Sequence, residues 1–242
     1  VDFLIQRLPL YIDGAWITIQ LTIAGCALAF VLAMVFGIMG TIRHWLPRAI
    51  STVYVEVFRG VAALVLIFWM VYALPQLTGY QLVDMVAAII ALGLNVGAYG
   101  AEVVRSSINA VPKAQVEATV ALNFSWFQRM RLVVLPQAWA QMLPTFGNLV
   151  IELMKASAVV FLVGIVDLTA VAQNMRQATG ETVVAFIGSF ILYYLIAQVF
   201  IFGVRLLERR ANRKLGRAIP GGGGLKALLQ PTSAGTKPGV VK

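Results

Sequence analysis

Long apolar runs, cut by short polar intervals, make up most of this chain. Five runs are each long enough to cross a bilayer, at about 15–42, 49–74, 82–104, 138–166 and 183–204, since a hydrocarbon core of ~30 Å takes roughly 20 helical residues. They are rich in Leu, Ala and Ile and lack the period-two alternation of barrel strands. The pattern therefore predicts an all-α polytopic membrane protein with five transmembrane helices. The fourth run has the least defined start, because Pro136 and Pro144 mark its beginning while Glu152 and Lys155 lie inside it.

Composition narrows the class further. Of 242 residues, 60% are hydrophobic and only 12% charged, where soluble domains carry roughly 25% charged residues. A single cysteine, Cys26, and a single histidine, His44, exclude an intrachain disulfide, a multi-thiolate metal site and a two-histidine zinc motif. No catalytic residue and no metal ligand is assigned.

The net charge of +9 would suit nucleic acid only if it formed a basic stripe. Instead, sixteen of the nineteen Lys and Arg fall within 43–59, 105–131 and 205–242. Arg7 and Arg176 are alone in the alternate intervals, and Lys155 is inside a span. Cytoplasmic loops collect Lys and Arg, so the bias predicts an outside N-terminus and a cytoplasmic C-terminus, with no nucleic-acid partner. Residues 1–14 are then a short extracytoplasmic segment and 15–219 the transmembrane domain. Residues 220–242, opening on Pro220 and the run Gly221 to Gly224, read as a flexible cytoplasmic tail. The first apolar run is too long for the core of a cleavable signal, so none is expected.

The interval 106–136 is long for a helix connection and patterned as two short helices around a corner. Pro112 suits a first helical turn, and Gln115 to Leu122 are good helix formers. Asn123 tolerates the left-handed conformation that ends a helix. Ser125 and Gln128 form a capping box opening the second helix, which Pro136 is expected to stop before the fourth span.

Glu117-Ala118, Asn123 and Leu135-Pro136 stand at the spacing of an EAA loop. The chain resembles the permease subunits of bacterial ABC importers, in the branch that carries polar amino acids and ectoine-type solutes. Gly14, Thr18 and Thr22 agree with that branch, as do Tyr54 to Gly60, Asn95, Tyr99, Glu102, Arg105, Val111 and Gln137-Ala138. The likeness runs from about Gly14 to Arg213. It departs at Thr119 and Asn123, where the family has alanine and glycine, and at Val61-Ala62 and Lys155 to Ala158.

This resemblance implies the type I importer permease fold in the bacterial cytoplasmic membrane. It makes 106–136 the coupling loop that docks on a cytoplasmic ATPase dimer, through Pro112, Gln115, Glu117, Ala118, Asn123, Trp126, Leu135 and Pro136. Phe127 would add apolar contact beside Trp126. It implies a second permease chain, identical or a sibling, because five spans are few to enclose a gated path, and an extracytoplasmic solute-binding protein. No G-x-x-x-x-G-K-[ST] phosphate loop is present, so ATP and Mg are expected on the partner ATPase. This chain would be a non-catalytic subunit binding no cofactor.

Ionisable groups inside a span cost roughly 2.5–3.5 kcal/mol each unless paired or facing a wet cavity. Asn95, Tyr99 and Glu102 share one helix face at i, i+4 and i+7, and Asn148, Glu152 and Lys155 repeat the spacing. Both faces are expected to point inward along a solute path. The alternative is structural: Glu152 paired with Lys155, and Glu102 with a basic residue on a neighbouring helix. Glu56 and Arg59 are likewise either an i, i+3 ion pair or a gate contact.

Three other readings remain. The solute is either a polar amino acid or a compatible solute such as ectoine or hydroxyectoine. An ion-coupled secondary carrier would use the same membrane clusters but has no use for the loop. An intramembrane hydrolase would have only His44 as its histidine base, in a loop.

Overall fold

The computed structural model describes residues 7–214. The predicted tail at 220–242 and the first six residues of the predicted N-terminal segment lie outside the described residues. Within them the chain is helical, with no strand. Four helices are long and apolar enough to cross a membrane: α1 (Leu8–Met39), α4 (Asp84–Asn109), α6 (Trp126–Val163) and α8 (Thr182–Lys214). α1 begins seven residues before the predicted first span, so part of the predicted N-terminal segment is helical.

The second predicted span is not one helix. α2 (Trp45–Gly60) and α3 (Ala63–Thr78) meet at 101°. Val61 and Ala62 between them are extended, at ψ 134° and 139°, so the chain turns within what hydropathy shows as a single run.

Pro136 does not end a helix either. α6 continues through it by widening into a π-turn at Met130–Val134, and α3 does the same at Trp69–Ala73 before Pro75. A proline ring clashes with the carbonyl four residues back and offers no N–H. A π-turn moves that carbonyl aside while the helix runs on. At about 1.5 Å per residue, α6 is roughly 57 Å long, nearly twice a bilayer core. Its first turns therefore project from the membrane as the second half of the loop.

Two further elements complete the chain. α5 (Lys113–Ala121) is the first loop helix. α7 (Leu168–Thr179) lies between the last two spans and was not anticipated, since the fourth apolar run extends to 166. Its N-cap is Asp167, whose Oδ1 accepts from the Ala170 N–H at 2.9 Å and whose Oδ2 accepts from the Tyr193 hydroxyl at 3.1 Å. Burial pushes the Asp167 carboxyl above the usual carboxylate range. The Leu168 N–H donates to Thr18 on α1, and Ser189 on α8 donates to the Leu168 carbonyl. Side-chain hydrogen bonds thus dock α7 on both outer spans.

The bundle is organised by α1 against α4, its most extensive helix pair. Small residues permit the approach. A Cβ on Gly37 would lie 2.5 Å from Val104 Cβ, and one on Gly100 would lie 2.7 Å from Ala33 Cβ. Tyr54 then fastens α2 to this pair, stacking on Phe36 with ring centroids 3.9 Å apart and donating to the Leu94 carbonyl at 2.9 Å.

Gly37→Leu should force α1 and α4 apart, at the ~1–3 kcal/mol typical of overpacking. Gly60→Ala meets nothing within 4 Å and should be tolerated. Thermal unfolding of the purified complex reads the difference: a lower midpoint for Gly37→Leu and an unchanged one for Gly60→Ala.

Candidate functional site

From Pro112 to the start of α6 the loop folds as its sequence pattern predicts. Pro112 is the N-cap residue of α5. At the other end Asn123 has φ +57°, the one positive value at a non-glycine residue among those described. The Phe124 N–H donates to the Thr119 carbonyl at 3.0 Å and the Asn123 N–H to the Val120 carbonyl at 2.9 Å, which completes a Schellman motif with asparagine in the left-handed position. Ser125 and Gln128 then form the capping box that opens α6. The Schellman bonds and the capping box together fix how the end of α5 leads into α6.

Gln115 and Gln137 join their side-chain amides across the corner, which ties α5 to the root of α6. Gln115 thus serves the loop's internal geometry. Glu117, Ala118, Trp126 and Pro136 are exposed, and Leu135 is half-buried. The surface beside Glu117 is more apolar than the sequence reading anticipated. Leu122 and Phe127 are 68% and 64% exposed, and Val120 and Leu132 are exposed with them. Large apolar side chains left mostly exposed in a polar loop mark an interaction surface. Behind them a cleft of about 340 Å³ is lined by Asn109, Lys113, Glu117, Trp126 and Arg129.

The predicted face of α4 divides into three separate roles. Asn95 is buried and spends its amide on the helix break, donating to the Phe58 carbonyl at 2.8 Å and the Val61 carbonyl at 3.0 Å. In this chain it is therefore a backbone clamp at the helix break. The Tyr99 hydroxyl donates to the Arg59 carbonyl at 3.4 Å, and the Arg59 guanidinium lies over the Tyr99 ring, 5.1 Å from its centroid. Glu102 pairs with Arg105 on its own helix, with Nε to Oε2 at 3.0 Å, and not with a neighbouring helix. Glu56 forms no ion pair with Arg59; the tyrosine ring claims the guanidinium instead.

The predicted face of α6 does not point into this chain. Asn148, Glu152 and Lys155 are all exposed, and Glu152 makes no ion pair with Lys155. A stripe with one carboxylate and one ammonium is thus presented outward at membrane depth, where lipid would be a costly neighbour. The described residues hold no cluster of His, Cys, Asp and Glu able to bind a metal.

A family model described as the inner membrane component of binding-protein-dependent transport systems matches residues 13–213. The chain belongs to this family. It is a multi-pass protein of the cytoplasmic membrane. A probable amino-acid ABC transporter permease protein of Sinorhizobium fredii is 38% identical over 205 residues, covering 83% of this chain and 86% of its own length. The arginine transport system permease protein of Bacillus subtilis is 31% identical over 208 residues, covering 85% of this chain and 94% of its own. Among solved structures, an amino acid ABC transporter crystallised with histidines superposes with a TM-score of 0.79 at 31% identity, over 87% of this chain and 99% of that one. The MetNI methionine transporter shares the fold at 20% identity, with a TM-score of 0.74 over 85% of this chain and 98% of that one.

The corner gives a direct test. Asn123→Gly should leave it intact, while Asn123→Val should cost the ~1–2 kcal/mol of forcing a branched residue left-handed. Hydrogen exchange across 113–130 would show faster opening in the valine variant alone.

Proposed function

We propose that this chain is the permease subunit of an ATP-driven importer for polar amino acids or similar small zwitterions, working by alternating access. The observation that carries the proposal is the loop. A corner built from a Schellman motif and a capping box joins two helices while Glu117, Leu122, Trp126 and Phe127 stand exposed on it. Such a surface has no use inside an isolated carrier and suits a groove on a partner ATPase, which would hold ATP and Mg. The charge bias places the loop on the cytoplasmic side.

The outward stripe on α6 supports the rest of the assembly. Asn148, Glu152 and Lys155 are stable at membrane depth only against protein or water. A second permease chain, identical or a sibling, would enclose them with its matching face about a two-fold axis. The enclosed volume would be the solute path, with Glu152 placed to meet an ammonium and Lys155 a carboxylate. A solute-binding protein on the outer side would deliver the zwitterion. The amino-acid relatives favour amino acids over ectoine-type compatible solutes.

Glu117→Lys tests the docking role. The complex should still assemble, but solute-stimulated ATP hydrolysis in proteoliposomes should fall about tenfold or more, the loss of one charge-assisted contact. Undiminished stimulation would sink the docking role, and uptake by this chain alone on an ion gradient would decide for a secondary carrier. Glu152→Gln and Lys155→Met should each impair uptake while insertion and assembly stay normal. Normal uptake by both would remove the α6 stripe from the path.

A further inference from the structure

α2 carries a second polar stripe that the docking loop and the α6 face do not use. Arg48, Thr52, Glu56 and Arg59 fall at i, i+4, i+8 and i+11, on one side of the helix. Across from them stand Glu102 and Arg105 of α4, and the two faces enclose a cleft of about 360 Å³ that also reaches Ser51 and Gly40. That volume lies within the range of small-molecule sites, roughly 300–1,000 Å³. The cleft is at the loop end of the bundle, because Arg105 precedes the end of α4 at Asn109 by about one turn.

The charges lining this cleft are unequally committed. Glu102 and Arg105 neutralise each other through two hydrogen bonds. Arg59 lies over the Tyr99 ring, 5.1 Å from its centroid, a contact that takes up none of its N–H donors in an ion pair. Arg48, Glu56 and Arg59 enter no ion pair. The uncommitted groups are therefore two guanidiniums and one carboxylate. A simple anion would meet Glu56, and a simple cation would meet both arginines. A molecule with a carboxylate and an ammonium a few ångströms apart satisfies all three.

We propose that this cleft is a zwitterion site on the cytoplasmic side, separate from the α6 stripe, through which accumulated solute slows its own import. Arg48 and Arg59 hold the carboxylate and Glu56 the ammonium. The proposal rests on the reading of the chain as a zwitterion importer with its loop in the cytoplasm. The stripe ends at the α2–α3 break, where Asn95 clamps the Phe58 and Val61 carbonyls. An occupied cleft would bridge α2 to α4 beside that joint and resist any change in the angle between them.

The test uses the intact transporter in proteoliposomes with the ATPases facing outward and the solute-binding protein sealed inside. L-glutamine and L-arginine are each supplied first inside, to stimulate ATP hydrolysis, and then outside, to suppress it. The expected result is suppression by the external amino acid. Glutaramate and 5-guanidinopentanoate, which lack the ammonium, should be about tenfold weaker or worse, as loss of a charge-assisted contact requires. Glu56→Gln should bring each amino acid down to the potency of its deaminated analogue, and Arg48→Gln should weaken both together.

Stimulation from inside without suppression from outside would overturn the site and leave the importer reading standing. Equal potency of amino acid and deaminated analogue on the wild type would overturn it without reliance on any variant. So would suppression unchanged in Glu56→Gln and Arg48→Gln. No stimulation by either internal amino acid would bring down the importer reading for these solutes and the site with it.

Discussion

A backbone that leaves its helix inside a bilayer exposes carbonyls that water cannot reach, and the architecture here depends on how those carbonyls are answered at the α2–α3 break. Asn95 gives both of its amide hydrogens to the Phe58 and Val61 carbonyls, and Tyr99 gives its hydroxyl to Arg59. All of these donors come from α4. They reach the break because α4 lies against α1, and α1 is that close because Gly37 and Gly100 carry no side chain. Substitution of a small residue at one interface would therefore be felt at the joint two helices away.

The same accounting is repeated toward the other end. α6 leaves its regular turn at Ser157–Val163, and the chain re-enters helix only after Asp167. Side chains meet the exposed groups there: Asp167 for the Ala170 amide, Thr18 for the Leu168 amide, Ser189 for the Leu168 carbonyl. The buried carboxylate has hydroxyls and amides around it in place of a cation. α7 is thereby joined to α1 and α8, so the interval between the last two spans belongs to the bundle.

Where local chemistry decides the conformation, the residues could be read directly. Asn123 and the Ser125–Gln128 box specify their own turn, and the structure repeats the reading atom by atom. The general positions of the spans were equally legible, because bilayer thickness and apolar length determine them. The break at Val61-Ala62 was hidden, since both residues are apolar and its clamp, Asn95, lies more than thirty positions away. Pro136 misled because proline usually stops a helix, and only the surrounding turns show that a π-turn has absorbed it. The α6 stripe was found by its spacing. Spacing gives the shared face of three side chains and not whether that face meets its own chain or another; here all three are exposed on this chain.

The passage of α6 through Pro136 has a mechanical consequence. Trp126 on the loop and Glu152 at membrane depth belong to one uninterrupted helix, separated by about 39 Å at 1.5 Å per residue. A rod of that length tilted by ~10° carries its far end roughly 7 Å, about the width of a side chain and more than one helical turn. Had the proline broken the helix, the loop could swing while the membrane half stayed still. Because it does not, the loop is the short handle of a lever whose long arm bears Asn148, Glu152 and Lys155.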